Sequence, residues 1–245
     1  MNTTSAFPAE APLEASRLAS PVPKVLVWDA PVRLFHWLMV LSFAGAYLTA
    51  ESERWRLLHV TLGYTMAGLV AFRLVWGLVG TRHARFASFV RGPSAVLRYF
   101  RSLVAGRPEH HAGHNPAGAL AIVALLGLTI AVTAAGWATL NDLGGEWIKE
   151  VHEAAANLML ALAGVHVAAV VLSSWLHRDN LIGAMVTGRK VGSPQDGVRS
   201  AWRSVAALML VAVLGFWWSQ WQGSPASFGG QDGAVMSHAL DHDDD

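Results

Sequence analysis

Four histidines, His36, His59, His152 and His166, stand in or at the edge of long apolar runs of this chain. A neutral imidazole is a good ligand for iron or zinc. An ionisable ring among apolar residues is costly unless it has a task, so each of the four is a candidate site. The chain has no cysteine. Disulfides, thiolate zinc sites, iron–sulfur clusters, cysteine nucleophiles and covalent c-type haem attachment are thereby excluded. The 11 histidines are left as the main source of metal ligands.

The elements that must hold these rings are written in the hydropathy. Of 245 residues, 53% are hydrophobic and 14% charged, with mean hydropathy +0.36. A soluble domain carries about 25% charged residues. Five apolar runs follow a leader rich in Ala, Pro, Ser and Glu: 32–50, 57–79, 116–138, 151–175 and 204–221. Each is near the ~20 residues an α-helix needs to cross ~30 Å of hydrocarbon. Backbone groups must pair internally in lipid, so the runs are expected as helices of an all-α integral membrane bundle. A net charge of +1 offers no basic excess for nucleic acid. The 11 tryptophans suit interfacial belts.

Lys and Arg give the orientation. The leader and the start of the first run hold Arg17, Lys24 and Arg33. The second-to-third connection holds Arg82, Arg85, Arg91, Arg98, Arg101 and Arg107, and the fourth-to-fifth holds Arg178, Arg189, Lys190, Arg199 and Arg203. The opposite side has Arg54, Arg56 and Lys149. The N-terminus is expected in the cytoplasm and the C-terminus outside. Residues 94–103 are expected as a short amphipathic helix on the cytoplasmic surface.

Depth sorts the histidines into two pairs. At ~1.5 Å per residue, His36 lies about 6 Å in from the cytoplasmic side, and His166 about 8 Å from it. His59 and His152 lie about 3 Å and about 2 Å in from the outer side. His152 and His166 are fourteen residues apart on one helix, nearly four full turns. Both rings therefore leave roughly the same face, about 21 Å apart in height. Two stacked bis-histidine haems need this arrangement, and two imidazoles give a low-spin, electron-transferring b-type haem. Small residues could open a slot for the macrocycle: Gly45, Gly63, Gly68, Ala154, Ala155, Ala161, Gly164 and Ala168. Arg73, fourteen residues after His59, is placed for a propionate of the cytoplasmic haem or for a nearby quinone, with Arg33 a second candidate. Arg54 and Arg56 are candidates for the outer haem. A lone intramembrane histidine also serves as a helix–helix hydrogen bonder. A zinc site would want three or four ligands at one level, where this pattern offers two.

At this point the chain resembles the bacterial cytochrome b561 family, in the branch that includes cytochrome b subunits of nickel–iron hydrogenases. The resemblance lies in Trp28-Asp29-Ala30-Pro31-Val32-Arg33-Leu34-Phe35-His36-Trp37, His59-Val60-Thr61-Leu62-Gly63, Gly113-His114-Asn115-Pro116, His152-Glu153 with His166 fourteen on, and His177-Arg178-Asp179-Asn180-Leu181. It covers about residues 25–190. It implies a four-helix core with two haem b groups, ligated by His36 with His166 and by His59 with His152, and electron exchange between membrane quinone and a redox partner protein. The fifth helix falls outside that core.

The expected organisation is a flexible cytoplasmic leader (1–24), a di-haem domain (25–190), a linker with a fifth transmembrane helix (191–222) and an acidic, disordered outer tail (223–245). His114 and Asn115 are candidate quinone contacts, although Asn-Pro is also an ordinary helix start. His177 and Arg178 suit a helix C-terminus. His83, His110 and His111 are expected to be solvated in the basic loop. His238 and His242 are spaced for a divalent metal if helical, but sit in the acidic tail. Outer-side acids, Glu51, Glu53, Asp142, Glu146, Glu150, Glu153 and those of the tail, would steer a basic partner such as a c-type cytochrome. No residue is expected to act as an acid–base catalyst. Two rival expectations are a stand-alone small-molecule:quinone oxidoreductase and a non-redox membrane anchor or cation transporter.

Overall fold

A computed structural model describes residues 23–90, 92–105, 116–177 and 179–223. Among them are eight α-helices: α1 (Ala30–Thr49), α2 (Arg56–Val79), α3 (Phe86–Phe89), α4 (Pro93–Val104), α5 (Pro116–Leu140), α6 (Glu146–His177), α7 (Leu181–Thr187) and α8 (Arg203–Gln222). Five of these, α1, α2, α5, α6 and α8, are long and apolar enough to cross a membrane. They match the five apolar runs to within a few residues. Beyond the first turn each is free of proline (Pro31 is the second residue of α1), so the backbone ladder closes without a break. Pro116 opens α5 at the first helical turn, where a missing N–H costs nothing. α4 takes up the expected amphipathic segment.

Tertiary packing divides the chain into two compact units. The first takes in residues up to Asp29, Val75–Leu125 and Leu160–Ala201. It holds a two-stranded antiparallel sheet that hydropathy did not announce: β1 (Lys24–Leu26) pairs with β2 (Arg189–Val191), Val25 opposite Lys190. β1 starts at the last residue assigned to the leader. The segment Asp179-Asn180-Leu181 is an N-cap: the Asn180 side chain accepts from Gly183 N at 2.6 Å. The same helix, α7, ends at Gly188 with φ +81°, a left-handed cap that other residues adopt only with strain. The Gly188 carbonyl accepts from Val27 N (2.8 Å) and Trp28 N (3.1 Å). Val27 and Trp28 bury their side chains against Ala184 of α7. Two of the motifs noted in the sequence are therefore one packed structure.

Asp29, 1% exposed, is the polar centre of this unit. Its Oδ2 accepts from Trp76 Nε1 at 3.1 Å and Thr81 Oγ1 at 2.6 Å. His83 corrects an expectation. It is buried (8% exposed) rather than solvated, with Nε2 at 2.8 Å from the Asp196 carbonyl and its ring edge-on to Trp28. Charge in the surrounding loop suggested water. The turn Pro194–Asp196, more than a hundred residues on, supplies the cover instead. Lys190 pairs with Asp179 at 2.8 Å.

The second unit takes in Ala30–Leu74, Leu126–Met159 and the chain from Trp202. Leu38 of α1, Leu69 of α2 and Met209 of α8 form its apolar core, with Phe35 and Phe72 against them. Trp217 of α8 donates Nε1–H to Thr65 Oγ1 at 2.8 Å, and Thr65 donates in turn to the Thr61 carbonyl. In lipid, where apolar burial gives no drive between helices, packing and such interhelical bonds carry association, each bond about 0.6–1.7 kcal/mol. α8 is thus tied to α1 and α2 by side chains as well as by shape.

Candidate haem site

His59, in the first turn of α2, and His152, in the second turn of α6, lie in the second unit with their rings in edge-on contact. The ring centroids are 6.1 Å apart and the planes cross at 74°. Each ring is held through Nδ1 by a backbone carbonyl: His59 by Ala46 O at 2.8 Å, His152 by Val132 O at 2.9 Å. A carbonyl only accepts, so Nδ1 carries the proton and donates it. Nε2 is then the unprotonated nitrogen with a lone pair to give. Both rings are fixed in the tautomer a metal ligand needs.

Gly136 of α5 lies against the His152 ring: a Cβ there would stand 2.9 Å from Cε1 and 3.0 Å from Nδ1. Neither Gly136 nor the two carbonyls was singled out from the sequence, which gives no sign of contacts between helices. Of the glycines that were, Gly63, Gly68 and Gly164 have open space where a Cβ would go, while Gly45 is closed by Leu62. Beside the pair, Tyr47 donates its hydroxyl to Asn157 Oδ1 at 2.9 Å. Six carboxylates of the same unit, on Glu51, Glu53, Asp142, Glu146, Glu150 and Glu153, are exposed.

The other candidate residues are placed as follows. His36 on α1 is half-buried, edge-on to Trp37 at 5.1 Å. His166 on α6 is half-buried and belongs to the first unit. Arg73 on α2 is 3% exposed, and Arg33 on α1 half-buried. Arg54 and Arg56 are exposed, the Arg54 guanidinium lying over the Trp55 ring at 5.6 Å. His114, Asn115, His110, His111, Arg178, His238 and His242 lie outside the described residues, as do most of the leader and the tail. Among the described residues no group of three or more His, Asp or Glu is placed to hold a metal ion.

Comparison with known proteins decides the family. The family model of prokaryotic cytochrome b561 matches residues 27–188. The chain belongs to the prokaryotic cytochrome b561 family. It is a membrane b-type cytochrome of electron transport, carrying haem b. Curated relatives are described as "Probable Ni/Fe-hydrogenase B-type cytochrome subunit". That of Rhodobacter capsulatus is 22% identical over 214 residues, covering 68% of this chain and 81% of the relative. That of Escherichia coli K12 is 27% identical, covering 47% and 60%. That of Azotobacter vinelandii is 31% identical, covering 40% and 51%. No solved structure matches the chain. Helix α8 lies beyond the matched residues.

The residues present fit haem b. Two metal–imidazole bonds of about 2.0 Å, each with about 1.1 Å more from the nitrogen to the ring centre, span about 6 Å. His59 and His152 stand at that separation. Ser42 on α1, 1% exposed, has a hydroxyl oxygen that makes no hydrogen bond among the described residues, a buried polar atom that a bound group or water would satisfy.

Proposed function

We propose that this cytochrome carries electrons across the bacterial inner membrane through two bis-histidine haems, between a membrane quinone and a redox partner protein. The observation that carries the reading is the His59–His152 pair, with Nδ1 of each ring engaged and Nε2 left to bind. The second pair is His36 with His166. It is supported by the unbroken run of α6 from Glu146 to His177, which keeps His166 nearly four full turns and about 21 Å from His152. Arg73, buried on α2 fourteen residues after His59, is the proposed cationic partner of a propionate at the second level, with Arg33 beside it in role. Arg54 and Arg56 serve the first. The haem supplies the one-electron step; the chain supplies ligation, spacing and local polarity.

The chain is read with its N-terminus in the cytoplasm and its C-terminus in the periplasm, as a leader, a di-haem core, a linker with α8, and an acidic tail. His114 and Asn115 are the proposed quinone contacts. Absorption spectra of the purified protein test the reading: about two haems per chain, with split bands reducible by quinol, are expected. A colourless protein recovered folded from haem-replete cells would overturn it.

The partner is proposed to be a hydrogenase or a c-type cytochrome docking at the His59–His152 end. The relatives' names support the first. The six exposed carboxylates support any partner with a basic face. Reduction of such a partner is expected to fall steeply as salt rises, because exposed charges are screened within about 8 Å at physiological ionic strength. A flat salt profile would count against electrostatic docking.

A further inference from the structure

His59 and His152 reach their carbonyls by different devices. Ala46 lies in the last turn of α1, which ends at Thr49, and the Ala50 N–H turns to the Tyr47 carbonyl instead. The Ala46 carbonyl thus has no backbone donor, as at every helix C-terminus; it is shared between the Thr49 hydroxyl at 3.2 Å and the His59 ring. Val132 is in the interior of α5, where its carbonyl already accepts the N–H of residue 136. A side chain at position 136 flanks that carbonyl and covers its second lone pair. Here position 136 is glycine, and the space its Cβ would take holds Cε1 and Nδ1 of His152. The contacts of 2.9 and 3.0 Å fall on the same ring edge that the Nδ1 bond to Val132 holds in place, which leaves no cheap adjustment.

We propose that Gly136 is the positioning residue of the His59–His152 site. It uncovers the Val132 carbonyl so that His152 seats on α5, and it sets the plane the ring presents opposite His59. The proposal rests on the reading that these two rings hold one haem. Its spectroscopic consequence follows from the 74° crossing. Imidazole planes near a right angle donate into different iron d orbitals and leave them close in energy. A ferric low-spin haem so ligated gives one highly anisotropic low-field resonance; parallel planes give an ordinary rhombic spectrum.

The experiment is haem quantitation and low-temperature electron paramagnetic resonance on the purified full-length chain. The samples are wild type, Gly136→Ala, Gly127→Ala and His152→Ala. Gly127 is on the same helix with nothing within 4 Å of a would-be Cβ. Wild type is expected to show the anisotropic resonance from one haem, and His152→Ala to abolish it. Gly136→Ala should shift or abolish that resonance while the other haem's stays, and Gly127→Ala should change neither. A folded Gly136→Ala protein with both resonances at the wild-type positions would overturn the proposal. Should that variant fail to assemble, the wild-type spectrum decides: two rhombic signals overturn it, and an anisotropic signal lost in His152→Ala supports it. Failure of the underlying reading looks different, since His152→Ala would then keep both haems.

Discussion

His152→Ala is expected to lower the haem content from about two to about one per chain, and His59→Ala to remove the same haem. The rings stand 6.1 Å apart, each aimed by a carbonyl at its Nδ1. Removing either leaves a single imidazole and an open coordination position. A lone axial bond does not hold the low-spin state, so the surviving spectrum should be that of the other haem. His36→Ala and His166→Ala should spare the His59–His152 haem and remove its counterpart. Redox-difference spectra with haem quantitation in the four variants check the pairing. Should His36→Ala and His59→Ala abolish the same haem, the pairing is wrong. The effect is large because axial ligation is the strongest bond the chain makes to the group, with no thioether attachment available in a chain without cysteine.

Asp29→Ala is the substitution with the largest expected cost to the fold. One carboxylate oxygen, in a residue 1% exposed, accepts from Trp76 and Thr81. Hydrogen bonds to a charged group contribute about 1.5–3 kcal/mol each, and a buried donor left unsatisfied costs about 1–3 kcal/mol. The loss is expected at about 3 kcal/mol or more, with Asp29→Asn less damaging because its amide oxygen still accepts. Thermal unfolding of the detergent-solubilised protein measures both. Equal stability of Asp29→Ala and wild type would show that Trp76 and Thr81 find other acceptors. Because Asp29 joins the strand end to the close of α2, the variant should also loosen β1 and expose the His83 face.

Much of the architecture was legible without coordinates. The five spans follow from run length, because lipid forbids unpaired backbone and leaves the helix as the one structure a single apolar run can form. The depths proposed for the four histidines rest on a constant rise along those helices. The small sheet was not legible. Its strands are three residues each and lie far apart in the chain, so neither carries a periodic signal. His83 was misjudged because charge in a loop describes its surface, and burial there comes from the distant turn at Pro194–Asp196.

Residue order alone therefore pointed to a helical membrane protein, since hydropathy is a property of one segment at a time, and it was enough to propose imidazoles at two depths. Tertiary structure alone brought the His59 and His152 rings to 6.1 Å, edge-on, and chose the Ala46 and Val132 carbonyls that hold them. It also made Gly136 matter. Whether a carbonyl inside a helix can be reached depends on the side chain four residues on and on which neighbouring helix packs there. That information is held jointly by α5 and α6 and by neither sequence read by itself.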